Sequence, residues 1–441
     1  MNVPRLSTKL TKITMFTKIT SKTFSLWSLW ITVFVTGAAS PVAAQPAPTG
    51  YVSVFLDHLP NRDATELRAR GFVDEKVDAG QHLRLAASGF AEGLLADRAG
   101  RVTAAIVEAQ ELNASFHAKR FDLTAGLGRV VWGRLDEVQP TDVINPLDIS
   151  RFFFEGRSEA RLAVPLVRAR LFAGDRVSVE GVYVPIFRPG RFDRLDEPTS
   201  PFNVEPGAVT CLAIGCPRPV FVPHEPATTA ANAQGGARTD VTSGRVDWSV
   251  SAYRGFRPFG IYTFSPAPPG GEGGSPSIEY PRFTMVGGDF ETVTGPWVVR
   301  GEVAAFTRDA FQAPATAAAL TGHSFDAGAA VDRKAGDYRI SGQVLVHAER
   351  YDRAFDVPGR TDVSLIVSAD RTFAREKYQG RLFGVYNPHN DSGFVRGIAG
   401  ATLRDNVALE GSLGWFAGSG ADAISRFADS DFVYLRLKYF F

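Results

Sequence analysis

From Asp431 to Phe441 the chain alternates with a period of two. Val433, Leu435, Leu437, Tyr439 and Phe441 fall on one face, and Phe432, Tyr434, Arg436, Lys438 and Phe440 on the other. Side chains point alternately to the two faces of a strand, so one face here carries no charge and the other carries two cations. An apolar outer face, a polar inner face and aromatics at both ends suit a strand of a transmembrane barrel. The pattern recurs upstream. Trp297, Val299, Gly301, Val303 and Ala305 oppose Arg300, Glu302 and Arg308, and Val246, Trp248 and Val250 oppose Arg245, Asp247 and Ser249. From residue 82 onward the alternation predicts strands near 82–94, 102–117, 121–132, 159–172, 176–188, 236–242, 245–254, 280–293, 297–309, 325–331, 338–350, 362–370, 376–387, 394–403, 407–416 and 432–441. That is about 16 strands, within a range of roughly 14 to 18. The 159–172 stretch is ambiguous because Pro165 interrupts it. Tyr51–Leu56 reads as a short apolar piece packed near the barrel base, and whether Glu66–Val77 is a further strand stays open.

The connections sort by length. Gly174-Asp175, Ser243-Gly244, Thr294-Gly295-Pro296 and Arg404-Asp405-Asn406 have the chemistry of tight turns. Residues 133–158, 189–235, 255–279, 310–324 and 417–431 form long connections rich in Pro, Gly, Ala, Ser and Asp. Long extracellular loops and short periplasmic turns are the expected arrangement of an all-β antiparallel outer-membrane barrel.

Composition agrees with a membrane protein that crosses as strands. The 441 residues are 44% hydrophobic, and mean hydropathy is only −0.05; alternation hides apolar residues that a helical membrane protein would display in runs. Lys and Arg number 48 against 47 Asp and Glu, so no basic field points to nucleic acid. The one long apolar run, Phe24–Val35, follows Arg5, Lys9, Lys12, Lys18 and Lys22 and precedes Val42-Ala43-Ala44. This reads as a signal peptide over 1–44. It is followed by an N-terminal periplasmic or luminal segment, 45–80, and by the barrel, 81–441. Cys211 and Cys216, separated by four residues in an oxidising compartment, read as a small disulfide that staples a loop.

Three stretches carry a family resemblance. They are Gly128-Arg129 to Trp132-Gly133 with Pro140–Asp148; Val246-Asp247-Trp248 through Tyr253-Arg254-Gly255, then Tyr280-Pro281-Arg282 and Gly288–Glu291; and the terminal Asp431–Tyr439. Together they resemble an uncharacterised bacterial family of porin-like outer-membrane proteins, distantly similar to alginate-export-type barrels. The resemblance implies architecture and no catalytic residues. A chain stopping on Phe441 also resembles the terminal insertion signal of such barrels, which implies the barrel assembly machinery as a partner, with outer-membrane lipid and lipopolysaccharide around the wall.

The 133–158 segment is the foremost functional candidate. It holds Arg134, Asp136, Glu137, Asp142, Asn145, Asp148, Arg151 and Arg157 around Phe152-Phe153-Phe154. A charged, aromatic loop of this length is expected to fold into the lumen as a constriction, with its Phe cluster on the wall and Asp136, Asp142, Arg151 and Arg157 facing luminal charges. Lumen-lining candidates are Arg245, Asp247, Arg300, Glu302, Arg308, Arg339, Lys377, Arg381, Arg436 and Lys438. Gly-x-Ser-x-Gly, His-Glu-x-x-His and phosphate-cradling signatures are missing from the sequence, and no two of the seven histidines stand at ligand spacing. No enzyme, metal or cofactor is therefore expected. The function this implies is passive diffusion of small solutes. A specific transporter for a hydrophobic compound or polysaccharide, and a barrel enzyme acting on envelope lipid, remain as alternatives.

Overall fold

A computed structural model describes residues 49–98, 100–192, 222–264, 276–312, 319–352, 357–420, 422 and 424–441. The first strands are β1 (Thr49–Leu59), β2 (Ala64–Ala79), β3 (Leu83–Arg98), β4 (Gly100–Ala118), β5 (Phe121–Gly128), β6 (Val164–Ala173) and β7 (Val177–Val184). After the short β8 (Val222–His224) come β9 (Gln234–Ser243), β10 (Val246–Phe256), β11 (Ile261–Phe264), β12 (Pro276–Glu279), β13 (Arg282–Thr294) and β14 (Trp297–Gln312). The chain ends with β15 (Ala319–Ala335), β16 (Tyr338–Tyr351), β17 (Arg360–Phe373), β18 (Tyr378–Asn387), β19 (Ser392–Arg404), β20 (Val407–Ala417) and β21 (Phe432–Phe440).

Eighteen of these strands form one closed antiparallel barrel, sealed by β1 against β21 from Tyr51↔Phe440 to His58↔Val433. β8, β11 and β12 make a separate small sheet from the long connections. The even strand number puts both barrel termini at one end. That end carries the short turns, at which Gly244 and Gly295 adopt the left-handed backbone that tight turns require. Residues 129–163, 185–233, 257–281 and 418–431 all connect strands at the other end.

Alternation builds the wall. Val52, Val54 and Leu56 point out and are exposed, whereas Ser53, Phe55 and Asp57 point in and are buried. The last strand repeats this, with Val433, Leu435, Leu437 and Tyr439 outward and Phe432 and Tyr434 inward. A wall that displays Val, Leu, Trp and Tyr outward and buries Glu and Arg inside has the polarity of a barrel in lipid. Among the described residues no helix is long and apolar enough to cross a membrane.

The barrel has eighteen strands, not sixteen, because the N-terminal segment contains two complete wall strands. Residues 49–79 form a hairpin paired to β21 on one side and β3 on the other, so they belong to the wall and do not precede it. Two boundaries also move. β5 ends at Gly128, four residues before the expected 132, and the first part of the expected 159–172 strand is helical, with β6 beginning at Val164 beside Pro165.

Candidate functional site

The connection between β5 and β6 turns inward. Its neck is tied by Asn145: Oδ1 accepts from the Val130 amide at 2.7 Å, and Nδ2 donates to the Leu162 carbonyl at 2.8 Å and the Gly128 carbonyl at 3.3 Å. One amide side chain thus satisfies three backbone groups that leave the sheet. Asp142 holds the same neck by accepting from Arg157 at 3.1 Å and Arg161 at 2.6 Å.

A short helix follows, α1 (Ile149–Glu155), then a single turn, α2 (Arg157–Ala160). Asp148 caps α1 by accepting from the Arg151 amide and from the Ser150 hydroxyl, and Gly156 ends it with φ +85°. Burial raises the Asp148 carboxyl above the ordinary aspartate range despite Arg191 nearby. The helix carries Glu155 into a cluster of wall cations. Its carboxylate receives Arg70 at 2.6 and 2.7 Å and Arg151 at 2.8 Å, while Arg68 lies 3.8 Å away. Burial opposes ionisation here, but the Arg151, Arg70 and Arg68 guanidiniums outweigh it and hold the Glu155 carboxyl well below the usual range. Arg68 and Arg70 are shared with Asp57 and Glu92 on the wall.

Aromatic packing completes this attachment. Phe154 stands 4.4 Å from Phe432 between ring centroids, and Phe153 stands 4.6 Å from Phe427 and 5.1 Å from Phe416. Arg396 donates to the Phe154 carbonyl at 2.6 Å.

The opposite arm of the loop, residues 132–142, docks on the far wall. Glu302 of β14 accepts from the amides of Arg134, Leu135 and Thr141 and from the Thr141 hydroxyl. Gly133 is required beside it: φ is +93°, and a β-carbon there would lie 2.6 Å from the Glu302 carboxylate. Arg134 bonds Asp289 at 2.7 Å, and Trp132 donates to Glu180 at 2.9 Å. Asp136 pairs with Arg300 at 3.3 Å and Arg339 at 3.1 Å, and Glu137 pairs with Arg381. Burial pushes the Glu137 carboxyl above its ordinary value, and Arg381 only partly offsets this. β2 and β14, which receive the two arms, are the second and eleventh of eighteen wall strands, hence diametrically opposite.

The expected site residues separate by role. Asp136 faces luminal charges, whereas Asp142, Arg151 and Arg157 make their nearest ion pairs within the loop. Of the lumen-lining candidates, Asp247, Arg300, Glu302, Arg339, Arg381, Arg436 and Lys438 point inward. Arg245 does not, because it sits exposed in the β9–β10 turn, and Lys377 lies exposed in the turn before β18. Arg308 is also exposed: a bulge after Phe306, with Arg308 at φ +56°, reverses the phase, and Asp309 takes the inward place. Cys211 and Cys216 lie outside the described residues.

Arg68, Arg70 and Glu92 belong to the site without being singled out by the sequence pattern. For Arg68 and Arg70 the signal is the alternation of Glu66, Arg68 and Arg70 with Thr65, Leu67 and Ala69. Among the described residues no group of His, Cys, Asp and Glu is arranged to hold a metal ion.

Solved structures share this architecture. OccK5 (OpdH) of Pseudomonas aeruginosa superposes with a TM-score of 0.51 at 10% identity, covering 89% of this chain and 97% of that one. OccK2 (OpdF) of the same organism gives 0.50 at 11% identity, with 89% and 96% covered. OccAB3 of Acinetobacter baumannii gives 0.50 at 8% identity, with 90% and 99% covered. At these identities the likeness is one of fold alone. With its apolar exterior, this is a barrel of the bacterial outer membrane. Alginate-export-type barrels gain no support from the comparisons. No curated protein matches the chain. Residues 112–354 match the family described as "Protein of unknown function (DUF1302)", and the chain belongs to that family.

Proposed function

We propose that the protein is a passive outer-membrane channel for small solutes, narrowed by its own 129–163 loop. The observation that carries this reading is the attachment of one loop to opposite walls: Glu155 to Arg68 and Arg70 of β2, and the 134–141 backbone to Glu302 of β14. A segment so fixed leaves solutes only the space beside it, and charges held at a narrow point act strongly on passing ions. The porin fold supports a channel over an enzyme. In this reading the long connections face outward and the short turns face the periplasm.

Purified protein in proteoliposomes tests it. Swelling in isosmotic sugars and amino acids is expected to be fast for small solutes and to fall steeply with size. Liposomes that swell no faster than empty ones in every solute would contradict a channel.

A further inference from the structure

Resting on the outward placement of the long connections, we propose that the outer face of β10 and β13–β16 holds a phosphorylated glycolipid of the outer leaflet, the lipid A part of lipopolysaccharide. The observation is a row of cations on the lipid side of the wall, at the long-connection end. Arg254 of β10, Arg308 of β14, His323 of β15 and Arg350 of β16 are exposed, and Arg282 of β13 is half-buried beside them.

The pairing register makes these residues neighbours. Arg254 stands opposite Thr284, Thr284 opposite Thr307, and His323 opposite Arg350. Arg308 enters the row through the bulge between Phe306 and Asp309, whose partners Ser324 and Gly322 flank His323. Strict alternation would have turned Arg308 to the lumen. Its backbone, at φ +56°, takes a left-handed conformation that residues other than glycine adopt rarely. Two residues along β13 from Thr284, Arg282 lies on the same face, with its guanidinium 4.4 Å from the Phe256 ring centroid.

The row has no counter-charge of its own. Among the described residues, none of the five has a carboxylate within ion-pair distance. Arg282 donates to the Ala233 carbonyl at 3.0 Å, and Arg350 to the carbonyls of Glu349 at 2.8 Å and Arg360 at 3.3 Å. Asp352, two residues past Arg350, is engaged by the Thr321 hydroxyl. Like charges side by side on a sheet repel, and an anion with several oxygens removes that cost while gaining charge-assisted hydrogen bonds.

Depth and asymmetry name the anion. On the same face, toward the short turns, follow Ala252 and Val250 of β10, Ala305 and Val303 of β14, and Phe325 of β15. From Trp297 to Arg308 the strand climbs roughly 28 Å at ~3.3 Å per residue and a tilt of ~40°, close to the ~25 Å apolar band of such barrels. The cations therefore stand at headgroup level, with room for acyl chains on the apolar wall beside them. Outward positions near the same end of β17–β21 are Thr361, Tyr386, Val395, Trp415 and Val433, none of them charged. A general attraction to the membrane surface needs no such one-sided patch, whereas two phosphates carried on one sugar pair need several cations close together. At the short-turn end the outward cations lie on the aromatic girdle instead: Arg333 is 5.2 Å from the Trp297 ring and Arg371 4.7 Å from that of Tyr338.

Native mass spectrometry of the full-length protein in detergent tests the site, with bisphosphorylated lipid A, the same lipid without phosphates, and phosphatidylglycerol as probes. Lipid A is expected to be retained about tenfold more than either. Replacing Arg254→Gln, Arg308→Gln and Arg350→Gln together is expected to lower lipid A retention about tenfold, and Arg254→Gln or Arg350→Gln alone about threefold. Arg333→Gln with Arg371→Gln is expected to change nothing. Equal retention of the three lipids, parental retention in the folded triple and single variants, or an equal loss in the short-turn pair would overturn the site. Antibody staining of intact cells carrying an epitope tag in the 418–431 connection separates the orientation from the site. Unstained cells overturn the outward placement and, with it, the outer-leaflet assignment. Stained cells with parental lipid A retention in the folded variants overturn the site alone. Conductance of the triple variant in a planar bilayer is expected to equal the parent's, since the row lies outside the lumen.

Discussion

The two arms of the luminal loop are fastened by different physics. The α1 arm is dry: the Arg68 and Glu155 side chains are 2% and 3% exposed, and aromatic rings pack over them. The 134–142 arm has a dry point at Glu302 but a wet margin, where the Asp136 and Arg339 side chains are 35% and 45% exposed. Buried ions depend on one another, since removing one leaves others without water or partner. Exposed ions are screened and individually weak. The loop therefore has a firm anchor at α1 and a softer one opposite.

The largest effect is expected from Glu155→Gln. It leaves Arg68, Arg70 and Arg151 with too few counter-charges and costs about 3–5 kcal/mol of loop attachment. Limited proteolysis of the detergent-solubilised protein is expected to cut between 149 and 160 only in the variant. Glu302→Gln comes next. It weakens charge-assisted bonds from three amides and a hydroxyl, at about 2–3 kcal/mol, and hydrogen exchange at Arg134, Leu135 and Thr141 is expected to accelerate while that of α1 does not change.

Acid sharpens the same contrast. The depressed Glu155 carboxyl contributes stability above its unfolded value and loses it only as pH falls through its lower folded value, so the α1 anchor persists in mild acid. Glu137 has a raised folded value. As pH falls through it, proton uptake lifts a desolvation cost from the folded state and at the same time breaks the tie to Arg381. Lowering pH from 7 toward the ordinary glutamate range is thus expected to increase open-channel current noise without lowering the melting temperature. The smallest effect belongs to Arg339→Gln, below about 1 kcal/mol and vanishing in high salt, as unfolding midpoints at two ionic strengths would register.

Much of the wall was legible because lipid on one side and water or ions on the other impose a strict alternation. It failed where the inner face meets the loop instead of water. In β1, Phe55 and Leu59 point inward because they join the aromatic cluster around α1, so Val54-Phe55-Leu56 reads as an apolar run rather than as a wall strand. In β14 the alternation is broken by one bulge, which no local residue type announces, and Arg308 moved from the lumen to the outside. The 133–158 segment stood out by its charge and length. Its partners did not, since Glu302 and Arg68 lie far from it in sequence and are brought near only by barrel closure.

The most direct test replaces residues 133–158 with a short Gly-Ser linker and records single-channel current in a planar bilayer. Folding is checked by heat-modifiable migration. The account predicts a folded barrel with a clearly larger unit conductance and weaker discrimination between anions and cations than the parent. A folded variant with the parent's conductance and selectivity would contradict the claim that this loop narrows the lumen.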